Sequence, residues 1–149
     1  MGILTEDMKR LVAEIRLCYA ATVSADGKPN LSPKGSLTVL GDNELGFADL
    51  ASPRTVENLR HNPFIELNVV DPFVRRGYRF KGRADIVSDH EASALIAQTL
   101  GPEYPFERIV KIHVEEALVV FSPVYTLTQL SESAVKQFWL EWYGYRSVR

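Results

Sequence analysis

The sequence contains few of the residues that build metal or covalent sites. Its single cysteine, Cys18, cannot form an intramolecular disulfide or a metal site with other cysteines. Cys18 lies in an apolar strand-like segment, which predicts a core residue rather than a nucleophile. The three histidines, His61, His90 and His113, do not have metal-ligand spacing. The chain has no G-x-S-x-G elbow, no Walker loop and no G-x-G-x-x-G fingerprint. No metal site or standard catalytic motif is therefore predicted.

The chain also lacks a strong net charge and a long apolar run. Its 17 basic and 19 acidic residues leave a net charge of −2, so no overall field attracts nucleic acid or anionic lipid. The start, MGILTEDMKR, has no basic segment followed by an apolar run, as a secretory signal would. No apolar stretch reaches the about 18 residues of a membrane span. With no disulfide possible, we expect a cytoplasmic protein without nucleic-acid or membrane partners.

The pattern of predicted elements favours a small antiparallel barrel. About six strand-like segments are joined by short connections, including a hairpin turn at Asp26-Gly27. The segment LSPKGSLTVL is interpreted as one returning strand. Only residues 53–62 and 90–100 are long enough for crossover helices, and neither follows a glycine-rich turn. The sequence therefore predicts a single α+β domain over residues 1–149, with helices at the periphery of the barrel.

The start of the predicted helix at residue 53 is a candidate anion site. Ser52 is a good N-cap, and Pro53 suits the first helical position because it has no N–H to lose. Arg54 at the positive end of a helix is unfavourable by about 0.3–1 kcal/mol if nothing compensates. A phosphate would reverse that sign by accepting from the free amides of Arg54 and Thr55, from the hydroxyls and from the guanidinium. The alternative is a plain capped helix with a solvated arginine.

A second polar stretch, LSPKGS, lies upstream. Ser32, Lys34 and Ser36 alternate along a strand and therefore share one face, while Gly35 contributes no side chain. This face could meet a polar ligand, or it could be a solvent-facing row on an antiparallel sheet. A third, basic cluster could be a charged outer face or a weak nucleic-acid patch, although no recognition motif accompanies it. Its members are Arg75, Arg76, Arg79, Lys81 and Arg83.

Taken together, these segments resemble the pyridoxamine 5′-phosphate oxidase-like family of FMN-binding split barrels. The resemblance runs from about Leu11 to Phe121 and rests on YAATVSADGKPNLSPKGSL, ELGFADLASPRTVENLRHNPFIELNVVD and YRFKGRADIV. The middle segment is the most specific, because a strand ending in a small polar residue precedes Ser-x-Lys/Arg, a short helix and Asn-Pro. The resemblance implies a six-stranded antiparallel split β-barrel with peripheral helices.

The resemblance also implies a cofactor and its ligands. In this family the FMN phosphate binds at the helix start, the preceding strand runs along the ring and ribityl chain, and the flavin lies between the subunits of a homodimer. The implied cofactor-binding residues are Ser32, Pro33, Lys34, Gly35, Ser36, Ala48, Asp49, Ser52, Arg54, Thr55, Asn58, Arg76 and Gly77. Arg76 and Gly77 are expected to reach FMN from the other subunit.

The predicted function is that of an FMN-dependent oxidoreductase acting on a small-molecule substrate or electron donor. Lys34 is a candidate for stabilising negative charge on the reduced flavin, and no residue stands out as a catalytic acid or base. The chain departs from the authentic oxidase at Pro53, where that enzyme has a basic residue. Its C-terminal FWLEWYGYRSVR also lacks the Trp-Arg-Leu motif and the Arg-x-His pair that grip the phosphorylated substrate. Oxidation of pyridoxamine phosphate is therefore not expected.

Other functions remain open on the sequence. A split barrel of this kind could bind a deazaflavin or haem in place of FMN. It could also be a non-catalytic FMN-binding protein or electron carrier. The remaining alternative is a barrel interaction domain whose basic clusters are merely solvated.

Overall fold

Residues 2–145, which the computed structural model describes, form seven strands and five helices. The strands are β1 (Cys18–Val23), β2 (Pro29–Lys34), β3 (Thr38–Val39), β4 (Glu44–Ala48), β5 (Phe64–Asp71), β6 (Arg76–Val87) and β7 (Ile109–Phe121). The helices are α1 (Glu6–Ile15), α2 (Pro53–His61), α3 (His90–Leu100), α4 (Val124–Leu127) and α5 (Glu132–Trp142). None of these helices is long and apolar enough to cross a membrane.

The α+β class with an antiparallel sheet is confirmed, but the predicted number of six strands is wrong. The segment interpreted as one returning strand is two strands, because β2 pairs with β1 whereas β3 pairs with β4. The chain changes partner at residues 35–37, where Gly35 has open space around the position of a Cβ. The break turns one predicted strand into β2 and β3, and the sheet has seven strands.

The sheet curls into a half-barrel because its two edge strands are neighbours in sequence. The strand order is β2-β1-β5-β6-β7-β4-β3, with every pair antiparallel. In a flat sheet β2 and β3 would be separated by six inter-strand spacings, about 29 Å. Three connecting residues can span only about 14 Å. The edges must therefore approach one another, which brings the ends of β2 and β4 together.

The core lies inside the curl and under two helices. Its largest fully buried side chains include Phe47, Phe80, Leu37, Leu45 and Leu67. Helix α1 adds Met8 and Val12 to this core, and α3 covers a smaller cluster around Ile96 and Ile109. Cys18 is fully buried, as predicted for a core residue.

Helix α2 is fixed to the sheet by a buried polar contact as well as by apolar packing. The Asn58 side-chain amide donates to the Thr22 hydroxyl of β1 at 2.9 Å, and both residues are buried. Val56 and Leu59 are buried on the same helix. These contacts hold the N-terminus of α2 beside the end of β2.

The C-terminal helices attach to the turn between β5 and β6. The Arg75 guanidinium lies 3.7 Å from the centre of the Trp139 ring, and the Tyr125 hydroxyl donates to the Val74 carbonyl at 2.5 Å. Val135 is the buried residue of α5, whereas Trp142 is 70% exposed. Trp139 therefore packs against the turn, and Trp142 is left on the outer side of α5.

Candidate functional site

The centre of the candidate site is a buried lysine without a counter-ion. The Lys34 ammonium donates to the Ser32 hydroxyl at 2.9 Å and to the Ser52 hydroxyl at 2.6 Å, and Lys34 is 7% exposed. None of the ion pairs within residues 2–145 includes Lys34. The ammonium also lies 5.7 Å from the centre of the Phe47 ring. A buried cation whose recorded contacts are two neutral hydroxyls and an aromatic ring is unfavourable. The arrangement therefore calls for an anion from outside the described chain.

Burial lowers the pKa of Lys34 below the usual value for lysine, and nearby groups oppose the shift only in part. Desolvation is the main cause, while Cys18 and Asp49 act in the opposite direction. Burial also raises the pKa of Cys18 to about 12, so near neutral pH this residue is an uncharged thiol. Cys18 therefore gives the Lys34 ammonium no counter-charge at neutral pH.

Ser52 occupies the N-cap position of α2 but does not cap the helix. Its hydroxyl donates to the Leu50 carbonyl at 3.1 Å and accepts from Lys34, and it makes no bond to the first amides of α2. Pro53 has no N–H, so the first amide groups available to a ligand belong to Arg54 and Thr55. The uncapped positive end of the helix thus lies beside the buried ammonium.

The residue before this cap is held in an unusual conformation. Ala51 has a φ of +48°, in the left-handed region that favours glycine. An L-residue there is disfavoured by about 1–2 kcal/mol. Such backbone outliers occur at ligand sites, where the surrounding structure holds them in place. The turn that directs the Ser52 hydroxyl toward Lys34 is therefore built with local strain.

The remaining predicted residues of the 32–36 stretch have different surroundings. Ser36 lies beyond the end of β2, and its buried hydroxyl accepts from the Ala48 amide at 3.0 Å. This bond joins the 35–37 bend to the end of β4. Pro33 and Gly35 are exposed, whereas Lys34 between them is buried. Among the predicted residues of this stretch, only Ser32 accepts a hydrogen bond from the Lys34 ammonium.

Asp49, directly after β4, is paired with Arg108. The Arg108 guanidinium donates to the Asp49 carboxylate at 3.1 Å, and the Asp49 amide donates to the Arg108 carbonyl at 3.0 Å. The Asp49 side chain is 11% exposed. Sequence reasoning missed Arg108, since it lies 59 residues from Asp49 and only the pairing of β4 with β7 brings the two together.

Three of the predicted site residues lie on α2 and differ in exposure: Arg54, Thr55 and Asn58. Arg54 is exposed and lines an open groove of about 530 Å³ between α2 and the β1–β2 turn. Thr55 is buried, and Asn58 is engaged with Thr22. Arg54 is therefore free to meet a ligand at the helix start, while the Asn58 amide already has a structural partner.

Arg76 and Gly77 lie apart from the lysine cluster within one chain. Arg76 donates to the Glu132 carboxylate at 2.7 Å, and both Arg76 and Gly77 line a groove of about 270 Å³ between α1, β6 and α5. A Cβ on Gly77 would lie 2.0 Å from the Val69 carbonyl oxygen, so this position accepts only glycine. Their expected approach to a cofactor from a second subunit stays a prediction.

The geometry of the sheet and of the α2 start agrees with a match to a known family. Residues 4–121 match the family model described as pyridoxamine 5′-phosphate oxidase. The chain belongs to this family. HupZ of Group A Streptococcus is 33% identical, with 79% of this chain and 94% of HupZ covered and a TM-score of 0.70. No curated protein matches the sequence.

More distant solved structures share the fold with this chain. An FMN-binding protein from Syntrophomonas wolfei is 17% identical, with 80% of this chain and 87% of that chain covered and a TM-score of 0.70. HutZ, the heme storage protein of Vibrio cholerae, is 20% identical, with 82% and 98% covered and a TM-score of 0.58. By their names, these two proteins use the same fold for different ligands.

Proposed function

We propose that the protein binds FMN and works as an FMN-dependent oxidoreductase in a homodimer. The observation that carries the proposal is the buried Lys34 ammonium without a counter-ion, beside the uncapped start of α2. Both features favour an anion, and a phosphate ester satisfies free amides and cations at once. The family match and the FMN-binding protein with this fold support FMN as the group that brings the phosphate.

The residues present fit the charged and polar parts of FMN. Arg54 and Thr55 would hold the phosphate with their amides, and the exposed Arg54 guanidinium would add a side-chain cation, since Pro53 supplies none. Lys34, buried among Ser32 and Ser52, would hold negative charge on the ligand. When bound, FMN would supply the electron transfer, and the chain would orient it and adjust its potential through these donors.

The homodimer is supported by apolar side chains left exposed on the sheet. An antiparallel sheet that faces water normally carries polar residues on that face. Contiguous exposed apolar surface instead marks an interface. By strand register, three side chains share the outer face of β2, β1 and β5 and remain about half exposed or more: Tyr19, Leu31 and Phe64. In such a dimer, we place Arg76 and Gly77 at the neighbouring subunit's cofactor, as the family resemblance implies.

The proposal is tested by titrating flavin-free protein with FMN and with riboflavin, which lacks the phosphate. We expect FMN to bind more tightly than riboflavin. The substitution Arg54→Ala should weaken FMN about tenfold or more, as expected for a lost charge-assisted hydrogen bond, and should leave riboflavin unchanged. Arg60→Ala is the matched control, since Arg60 is exposed in the last turn of the same helix.

Two outcomes would contradict the proposal. One is the absence of FMN binding to the wild-type protein, and the other is an equal effect of Arg54→Ala on FMN and riboflavin. Mass spectrometry of the cofactor bound after expression separates FMN from a deazaflavin or haem. Turnover with NAD(P)H and an electron acceptor separates an oxidoreductase from an electron carrier.

A further inference from the structure

The largely buried carboxylate of Asp49 lies near the buried lysine and yet does not pair with it. Lys34 Nζ lies 5.7 Å from the centre of the Phe47 ring, two residues before Asp49, and donates to the hydroxyl of Ser52, three residues after it. Asp49 thus lies in the chain between two contacts of the lysine, and yet the ammonium donates only to the Ser32 and Ser52 hydroxyls. Opposite charges with little exposure attract strongly and normally form a hydrogen-bonded pair. Some other contact must therefore hold the Asp49 carboxylate in its present direction.

Arg108 supplies that contact with both its side chain and its backbone. The Arg108 guanidinium donates to Asp49 Oδ2 at 3.1 Å, and the Arg108 carbonyl accepts from the Asp49 amide at 3.0 Å. The guanidinium itself is about half exposed, whereas the carboxylate is largely buried. Because the backbone bond fixes the start of the loop after β4, loss of the guanidinium alone would release the carboxylate without moving the strand.

We propose that Arg108 is a positioning residue that keeps Asp49 from neutralising Lys34. With Asp49 held by Arg108, the lysine keeps its positive charge available for an anionic ligand. If Asp49 turned toward Lys34, the new ion pair would replace the ligand as partner of the ammonium. It would also place a negative charge beside the ligand, which costs further affinity. This inference rests on the proposed function, because it concerns the anion that Lys34 binds.

The first arm of the test measures FMN affinity in a double-mutant cycle. Arg108→Gln should weaken FMN binding about tenfold, the effect expected when a charge-assisted contact to the ligand is lost. In the D49N background, the same Arg108→Gln change should have little effect, because no carboxylate remains to compete for Lys34. Arg60→Gln removes an exposed arginine elsewhere and should leave FMN affinity unchanged.

The second arm needs no flavin and follows the Lys34 side chain by NMR. In flavin-free protein, Arg108→Gln should raise the pKa of Lys34 by about one unit or more through its new partner, and adding D49N should abolish the rise. An unchanged pKa in Arg108→Gln would overturn the inference, as would equal losses of FMN affinity in both Asp49 backgrounds. Failure of the wild-type protein to bind FMN would instead reject the proposed function, and the NMR arm would still be readable.

Discussion

At the scale of single residues, the chain accepts an unfavourable charge where a ligand is expected. Lys34 is buried with two serine hydroxyls and no carboxylate, and burial lowers its pKa. Replacing buried charged groups with apolar residues of similar volume is often neutral or stabilising. The binding role proposed for Lys34 would therefore come at the expense of stability, which would distinguish it from an ordinary structural residue.

The first prediction is that Lys34→Met stabilises the flavin-free protein and weakens its FMN binding. Methionine fills a similar volume without a charge, and Ser52 keeps the Leu50 carbonyl as a partner. We expect the free energy of unfolding at pH 7 to rise by about 1 kcal/mol. Urea denaturation measures this change, and a clear loss of stability would show that Lys34 is mainly structural.

The difference in unfolding free energy between the wild type and Lys34→Met should depend on pH, and the sign of this dependence follows from the pKa shift of Lys34. The pKa of Lys34 is lowered in the folded state from 10.5, so between the two values the unfolded chain binds more protons. The unfolding free energy of the wild type therefore rises with pH in that window, relative to Lys34→Met. The extra unfolding free energy of Lys34→Met over the wild type should reach its full value below the pKa of Lys34 in the folded state and should vanish above about pH 10.5. A constant difference across this range would contradict a buried, protonated lysine.

At the scale of elements, helices α2 and α5 are anchored to the rest of the protein by different kinds of contact. Helix α2 is fixed by buried contacts with β1, so its uncapped start is a rigid feature. Helix α5 has one buried residue, Val135, and its other anchors are polar or aromatic contacts of Arg75 and Arg76. We therefore expect α5 to open before the sheet does.

The second prediction is that Arg75→Ala loosens α5 without unfolding the sheet. Arg75 stacks on Trp139 and donates to the Tyr143 hydroxyl at 3.0 Å, and a cation–π contact contributes about 0.5–2 kcal/mol. The sequence has only two tryptophans, Trp139 and Trp142, both in α5, so tryptophan emission reports on this helix alone. Emission should shift to the red and change at lower urea than the far-UV signal.

Residue 75 has a positive φ of 59°, and alanine has a Cβ as arginine does, so we expect a similar backbone cost in both proteins and an effect of the side chain alone. Arg79→Ala is the control, because Arg79 is an exposed arginine of β6 that pairs with Glu66. Tryptophan emission and urea profiles equal to those of the wild type in Arg75→Ala would show that other contacts hold α5.

At the scale of the whole molecule, the curled sheet explains how distant segments form one site. The bend at residues 35–37 brings the end of β2 to the end of β4, and α2 follows directly after β4. Lys34 and Ser52 thereby meet across 18 residues of sequence. On the outer side of the same sheet, Tyr19, Leu31 and Phe64 form an exposed apolar surface.

The third prediction is that the protein is a dimer at micromolar concentration and that Leu31→Lys dissociates it. Leu31 is 67% exposed on β2, so a lysine there is compatible with a folded monomer but not with an apolar interface. Sedimentation should show the dimer in the wild type and in Leu95→Lys, a control on the outer side of α3. FMN affinity should fall with dissociation. A wild-type monomer that carries FMN would contradict this prediction.

Local signals in the sequence predicted most of the elements but not every break. The Asp26-Gly27 turn is present, with Gly27 at a φ of 80°, and α2 begins at Pro53 as expected. The division between β2 and β3 was missed, since a strand that changes partner keeps its local strand pattern. The Ser52 cap was predicted from residue type, but its hydroxyl is engaged by Lys34 instead.

The sequence by itself determined the family, the antiparallel class and the polar stretches from which the site is built, because turn residues, alternation and motifs act over a few residues. Only the tertiary structure decided that Lys34 is buried without a carboxylate and that Arg108 holds Asp49. These facts depend on the curl of the sheet and on partners 18 and 59 residues away. Burial and pairing of charges are properties of the packed chain, and no local pattern specifies them.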